Sequence, residues 1–294
     1  LVGRGRAEVG LYRVVPYVIF NIDVPVIYAV TGDAVLVSVY FASRLIPFTL
    51  VDVVRNTFRY LTARLVGGYR AGYAVGYGRA ALLLVLPIPV YTLANPVHVL
   101  TLLRPEYSWA YRVLQVFSVE SVFLLLAIAL ENVGAGVALR GARHVEMSKA
   151  LYKRLATASL TYLLLTASTV LWSDTEARIY WWTAATVVYT VLYSIVVSWW
   201  LWTIEPQARR ELAETYARIT AYIILLAPLA YLLGPHTRPY TSFFKELITI
   251  LPGATVFYAG ALIIIAALDA RVREAVRELL SGLTRRRTAV MSSL

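Results

Sequence analysis

Three ionisable side chains stand inside long apolar stretches of the sequence, where a charge is costly and usually serves a partner, a substrate or an ion. Asp23 lies in the first stretch with Asn21 close by, Arg44 lies in the second, and Glu120 lies in the fourth. A carboxylate in such a place can carry a proton or a sodium ion, and a guanidinium can bind an anionic group through charge-assisted hydrogen bonds. The other interpretation is an ion pair between Arg44 and a carboxylate that only holds helices together. The sequence does not decide between the two.

Other kinds of chemistry find little support in the sequence. There is no Cys, which excludes a disulfide framework and any Cys-based metal, redox or nucleophile chemistry. The three histidines, His98, His144 and His236, are far apart, and we expect them in loops or at helix ends rather than as metal ligands. No paired acidic motif for a metal-diphosphate is found, so we expect no enzyme. We also expect no cofactor, apart from a possible sodium ion or proton as coupling ion.

Membrane-spanning helices must position these side chains, because the composition leaves too little polar surface for a soluble domain. Of the 294 residues, 59% are hydrophobic and 15% are charged, whereas about 25% are charged in soluble domains. A spanning helix needs about 20 mostly apolar residues. Runs of that length predict an all-α, polytopic helical bundle with about eight transmembrane helices, at Leu11–Val30, Ala34–Val54, Ala80–Leu103, Trp109–Val133, Leu151–Leu171, Ile179–Ile204, Ile219–Leu233 and Leu247–Leu268.

The basic residues give this bundle an orientation. Most lysines and arginines fall in the two ends and in alternate loops on one side of the membrane, which the positive-inside rule makes cytoplasmic. We therefore expect a multi-pass protein of the cell membrane with both termini in the cytoplasm. The net charge of +11 then indicates anionic lipid headgroups, rather than nucleic acid, as partners. Three further acidic residues are predicted at cytoplasmic helix ends, where hydration explains them: Asp52, Glu131 and Asp269.

Three local patterns lie between the second span and the fourth. The arginine-rich stretch 55–64 predicts a basic helix at the cytoplasmic interface, and the glycine-rich stretch 67–78 predicts a flexible link. The third span contains Pro87, Pro89 and Pro96, which remove backbone donors and predict an interrupted helix. Interrupted spans are a feature of transporters.

The order of several short motifs is recognisable. An Asp-bearing first span is followed by Thr-Gly-Asp-Ala at 31–34 and by Tyr-Phe-Ala-Ser-Arg-Leu at 40–45. The segment 95–114 carries an acidic-Tyr-x-x-Ala pattern in a short outer loop, and 253–258 runs from Gly to Tyr within the last span. This order resembles helices seven to fourteen of polysaccharide flippases in the multidrug/oligosaccharidyl-lipid/polysaccharide exporter superfamily.

The resemblance implies a function and a domain organisation. It implies that the chain flips a lipid-linked oligosaccharide or polysaccharide precursor across the membrane by alternating access, with Arg44 attracting the phosphate of the lipid carrier. Residues 1–204 would form a six-helix lobe, and residues 205–294 two further transmembrane helices and a basic cytoplasmic tail. The first lobe of such a flippase has no counterpart here, so we expect a half-transporter that works with a missing lobe or a partner chain. The alternatives are a cation-coupled multidrug exporter of the same superfamily and a non-transporting scaffold subunit.

Overall fold

The computed structural model describes residues 24–68, 70–140, 144–172, 175–240, 242–274 and 276–277, together with Val14 and Val18. Over these residues the chain is helical and contains no strand, which confirms the all-α class. The helices are α1 (24–31), α2 (Ala34–Val66), α3 (Ala71–Val85), α4 (Pro87–Ala94), α5 (Pro96–Leu103), α6 (Tyr111–Arg140), α7 (His144–Trp172), α8 (Thr175–Ile204), α9 (Arg209–Leu232) and α10 (Phe243–Leu268), with short 3₁₀ helices at Pro105–Ala110 and Pro206–Ala208.

Five stretches among the described residues are helical, long and apolar enough to cross a membrane, or six if the bent pair α3–α4 is one span. The five are Ala34–Asp52, Pro105–Val137, Ala177–Ile204, Pro206–Leu232 and Phe243–Leu268, and each coincides with a predicted span. The chain therefore fits a multi-pass membrane protein. Of the other predicted spans, Leu151–Leu171 falls on α7, which is helical but not among the five, and Leu11–Val30 lies mostly outside the described residues. The count of eight stays a prediction.

Helix α6 is the central element of the bundle. The most apolar stretch of this span is 78% buried, whereas the corresponding stretches of the other four candidate spans are 22% to 44% buried. It packs against α2, α3, α4 and α8, while α7 packs on α8, and α9 packs on α3 and α4. Helix α10 packs on α4, α5 and α9. The largest cluster of buried apolar residues extends from Val51 to Val272, so it includes residues on both sides of the predicted domain boundary at 204.

Helix α2 begins at a side-chain cap and is longer than a membrane is thick. The Asp33 carboxylate accepts a hydrogen bond from the backbone N–H of Leu36 at 2.9 Å, which satisfies one of the free donors at the helix start. The helix then runs for 33 residues, or about 50 Å at 1.5 Å per residue, whereas the apolar core of a bilayer is about 30 Å thick. The arginine-rich stretch 55–64 is thus helical as predicted, but it continues α2 instead of forming a separate helix.

The glycine-rich stretch is not a flexible link, and that prediction is wrong. Helix α3 begins at Ala71 and includes most of the stretch. The reason is close packing, because a glycine lets another chain segment approach the helix backbone. A Cβ placed on Gly76 would lie 3.3 Å from Nε of Arg271, in the segment after α10. The glycines here make room for neighbouring side chains, and packing outweighs their low helix propensity.

The third predicted span is interrupted, and its proline positions give the reason. Pro87 and Pro96 are the first residues of α4 and α5, where a missing backbone N–H costs little because that group has no partner within the helix. The axes of α3 and α4 differ by 41°. Between α4 and α5, the Asn95 amide donates to the carbonyl oxygen of Ala230 at 3.0 Å. This bond fixes the second interruption to the C-terminal end of α9.

Candidate functional site

The four residues predicted for a site are only partly placed. Asn21 and Asp23 lie outside the described residues. Arg44 lies on α2 and is half-buried, and Glu120 lies on the central helix α6 and is 2% exposed. The described part of the predicted site lies where α2, α6 and α8 meet.

Glu120 is buried in an apolar part of the bundle and is hydrogen-bonded there. The Thr190 hydroxyl on α8 donates to Oε1 of Glu120 at 2.6 Å. An isolated carboxylate in such a medium would be very costly, so a direct hydrogen bond is a condition for placing an acid there. The bond also joins α6 to α8 at the middle of the bundle.

Arg44 lies against aromatic rings of its own helix. Its Cζ atom is 4.1 Å from the centre of the Phe48 ring and 5.8 Å from the centre of the Tyr40 ring. Both distances are within the range of cation–π attraction, which is stronger in a dry environment than in water. Cation–π attraction acts between the positive charge and the ring, whereas recognition of a phosphate or carboxylate uses the N–H donors of the guanidinium.

A series of contacts joins Arg44 to Glu120 through α8. The Tyr40 ring stacks on Trp182 with ring centres 3.5 Å apart, and the Tyr40 hydroxyl lies 3.1 Å from Oγ1 of Thr186. Thr186 is one helical turn before Thr190, the residue that donates to Glu120. We call Tyr40, Arg44, Glu120, Thr186 and Thr190 the central polar site. It is held by three helices and contains one cation, one acid and three hydroxyls.

The sequence reasoning missed Thr190 as the partner of Glu120. The residues on α8 that the spacing could have revealed are Thr183, Thr186, Thr190 and Ser194, which recur every three or four positions and share one buried face. A pattern of hydroxyls alone does not name its partner. That partner lies 70 residues away in the sequence.

A second group of charges lies where α3, α9 and the C-terminal end of α10 meet. It includes Asp269, which was expected to be hydrated, and that expectation is wrong. Asp269, at the C-terminal end of α10, is 0% exposed. Its Oδ2 accepts from Arg218 Nη1 at 3.0 Å and lies 3.6 Å from Nε of Arg79, which is itself 4% exposed. Arg79 also lies 3.4 Å from both Glu211 and Glu214. We call these five residues the arginine network. Arg79 and Asp269 are buried because α3, α9 and α10 converge there, and the other three residues are partly exposed.

Glu131 and Asp52 were also predicted to be hydrated, and the structure gives a different result for each. Glu131 is half-buried rather than simply hydrated, and its two oxygens accept hydrogen bonds from the hydroxyls of Tyr152 and Tyr193. Its carboxylate thereby joins α6 to α7 and α8. Asp52 is exposed, as predicted, but it lies within α2 and not at a helix end.

The three histidines lie at helix ends or in a loop, as expected. His98 lies in the first turn of α5, His144 is the first residue of α7, and His236 follows α9. His98 is nevertheless buried, and its Nδ1 lies 2.6 Å from Oε1 of Glu246 on α10. Within the described part of the chain, no three histidine or acidic side chains are grouped so that they could hold a metal ion.

Comparison of the chain with models of protein families, with curated proteins and with solved structures gives no match in any of the three. The likeness to polysaccharide flippases therefore rests on the short motifs and their order, and it stays a prediction.

Proposed function

We propose that the chain is one lobe of a transporter that moves a lipid-linked, anionic saccharide precursor across the cell membrane by alternating access, with both termini in the cytoplasm. The observation that carries the proposal is the central polar site. A guanidinium and a buried carboxylate are joined through Tyr40, Thr186 and Thr190 where apolar helices meet, in a position where charge is retained only at a cost.

The chemistry of the site favours an anionic substrate. Arginine stays charged at any physiological pH, and its planar donor edge matches phosphate oxygens. The Phe48 ring lies 4.1 Å from Cζ of Arg44, and phosphate recognition by an arginine uses its N–H donors. In the proposal, Arg44 binds the phosphate or diphosphate that joins lipid and saccharide, while Asp23 or Glu120 balances its charge between transport cycles.

The interrupted helix supports alternating access. The 41° bend before α4 and the second interruption at Asn95 lie in the segment that packs on α6, α9 and α10. Broken spans in transporters provide hinges and carbonyl oxygens near the substrate path. The half-transporter expectation is part of the proposal, so a first lobe from the same or a partner chain would form the opposite wall.

The test is a flipping assay on protein purified from its own membranes in mild detergent, with any co-migrating chain retained. The probe is a fluorescent oligosaccharide on a polyprenyl diphosphate, and an impermeant quencher reports the fraction in the outer leaflet of proteoliposomes. We expect Arg44→Ala to slow flipping by at least about tenfold, the equivalent of one lost charge-assisted hydrogen bond. The matched control is Arg112→Ala, because Arg112 is an exposed arginine that contacts Tyr111.

The proposal is wrong if the wild-type protein does not flip the probe faster than protein-free vesicles. It is also wrong if Arg44→Ala and Glu120→Gln both flip the probe at the rate of Arg112→Ala.

A further inference from the structure

A histidine and a glutamate form a buried pair between α5 and α10, away from the central polar site. Nδ1 of His98 is 2.6 Å from Oε1 of Glu246. The Glu246 side chain is 0% exposed and the His98 side chain 10%. Two ionisable groups at this distance and depth share one hydrogen, whichever nitrogen or oxygen carries it.

The second oxygen of Glu246 is also occupied. Oε2 accepts a hydrogen bond from the backbone N–H of Tyr240 at 2.7 Å. Glu246 lies in the first turn of α10, where the helix dipole favours a negative charge. The carboxylate is thus held at both oxygens and stabilised as an anion, so the variable member of the pair is His98.

The other charged groups near this end of the helices are exposed to solvent. Tyr91 of α4 directs its hydroxyl to the carbonyl oxygen of Ile250 and not to the pair. The exposed charged or titratable residues between the end of α5 and the start of α6, and between α9 and the start of α10, are Arg104, Glu106, Arg112, His236, Arg238, Tyr240 and Lys245. Water screens these groups. Among them, Arg104 and Glu106 pair with each other at 3.0 Å.

We infer that the His98–Glu246 pair is the binding site for one coupling proton. The inference rests on the proposed transport function and names its coupling ion. When His98 takes up a proton, the pair becomes an imidazolium and a carboxylate, joined by a charge-assisted hydrogen bond. When His98 gives the proton up, the contact keeps only a neutral donor and one buried negative charge, so the attraction between α5 and α10 is weaker.

The place of the pair shows how a proton would act on the helices. Helix α5 follows the second interruption of the broken span, and Asn95 at that interruption is fixed to α9. Among the residues that the structure describes, His98 and Glu246 form the ionic contact between α5 and α10. Proton binding therefore holds α5 against α10, and proton release frees α5 to move about the interruption. The segment 235–240, beside the pair, is exposed or half-exposed and offers the route for the proton.

The first test uses the wild-type chain and does not depend on transport. With only three histidines in the sequence, a ¹⁵N-histidine spectrum of the protein in nanodiscs gives two ring-nitrogen signals for each, and the pair that is lost in His98→Gln belongs to His98. Between about pH 5 and 9, the range in which histidine side chains in general change charge, we expect the His98 signals to change with pH and to differ in Glu246→Gln, but not in Glu106→Gln. A His98 signal that keeps one form over this range, or that ignores Glu246→Gln, overturns the inference.

The second test measures coupling. In proteoliposomes with an imposed pH gradient, the fluorescent polyprenyl-diphosphate probe should distribute unequally between leaflets, by up to about tenfold per pH unit if one proton moves with each probe. His98→Gln and Glu246→Gln should bring the ratio back to that found without a gradient, whereas His236→Gln and Glu106→Gln should keep the wild-type ratio.

The outcomes separate this inference from the proposed function. A wild-type protein that flips the probe but shows no gradient-driven ratio leaves the function intact and overturns the proton site. A ratio that persists in His98→Gln does the same. A wild-type protein that does not flip the probe overturns the proposed function, and the histidine titration then decides whether the pair binds a proton.

Discussion

Helix α10 is held by a buried carboxylate at each end, and the two ends differ in the cation they use. At its N-terminal end Glu246 faces a histidine, and at its C-terminal end Asp269 faces two arginines. Both carboxylates are 0% exposed, and both connect α10 to the interrupted segment α3–α5. An arginine keeps its charge at every physiological pH, whereas a histidine changes its charge near neutrality.

This difference indicates a fixed end and a conditional end. Arg79 of the arginine network is 4% exposed and contacts three acidic residues, so removing one contact leaves two. His98 has Glu246 as its described ionic partner. We interpret the arginine network as the anchor of α10 and the His98–Glu246 pair as its adjustable contact. We expect the largest loss of stability from damage to the anchor, a smaller one from the adjustable contact, and the smallest where the arginine network is exposed.

The anchor should be the more costly end to damage. Asp269→Asn removes the only fully buried acid of the arginine network and leaves Arg79 with Glu211 and Glu214, two partly exposed acids at 3.4 Å. Breaking a buried ion pair from one side costs about 3 kcal/mol or more, because it leaves a buried charge poorly compensated. We expect this loss in the free energy of unfolding in mixed micelles, measured by steric trapping or denaturant titration. Glu274→Gln is the control, since its pair with Arg271 is exposed. Equal stability of the two variants would contradict the anchor.

The adjustable end should show a smaller effect that depends on pH. Glu246→Gln removes the carboxylate, but His98 can then remain neutral, so we expect a loss of about 1–2 kcal/mol at low pH, typical of one hydrogen bond to a charged group. Protonated His98 makes the stronger contact, so Glu246 stabilises the fold more when His98 is protonated than when it is neutral. The measurement is the difference in unfolding free energy between wild type and variant at about pH 5.5 and 8.5. A difference that grows with pH would contradict the assignment of the two ends.

The smallest effect is expected where a charge of the arginine network reaches water. The Arg218 side chain is 35% exposed, although its Nη1 donates to Asp269 at 3.0 Å. Arg218→Gln keeps a donor near Asp269 and leaves Arg79 in place, so we expect a loss of about 1 kcal/mol or less, as for partly exposed ion pairs. The same unfolding assay at low and high salt should show that salt reduces this effect more than that of Asp269→Asn. A loss larger than that of Asp269→Asn would mean that Arg218 of α9, and not Arg79 of α3, anchors α10.

Much of the fold follows from local patterns. Long apolar runs predicted the five helices that could cross a membrane, because the period and length of such a run are properties of the segment itself. Pro87 and Pro96 predicted the interruptions for the same reason, since proline removes a donor wherever it stands. The glycine-rich stretch before them misled the prediction. Glycine weakens a helix locally, and only the neighbours of Gly76 show why a helix forms there.

The candidate site was predictable only in part. Arg44 and Glu120 were recognised from their residue type alone, since an ionisable side chain in an apolar run is rare. Their surroundings were not recognised. Thr190 reaches Glu120 from 70 residues away, and His98 reaches Glu246 from 148 residues away.

The sequence by itself determined that this protein is helical, apolar enough for a membrane and interrupted by proline in its third predicted span. Each of these properties depends on residues close together in the chain. The tertiary structure alone decided which ionisable groups are buried and which of them meet. Asp269 looked like a hydrated helix end, yet three helices converge on it. Burial and pairing depend on the packing of distant segments, and a pattern within one segment does not contain that information.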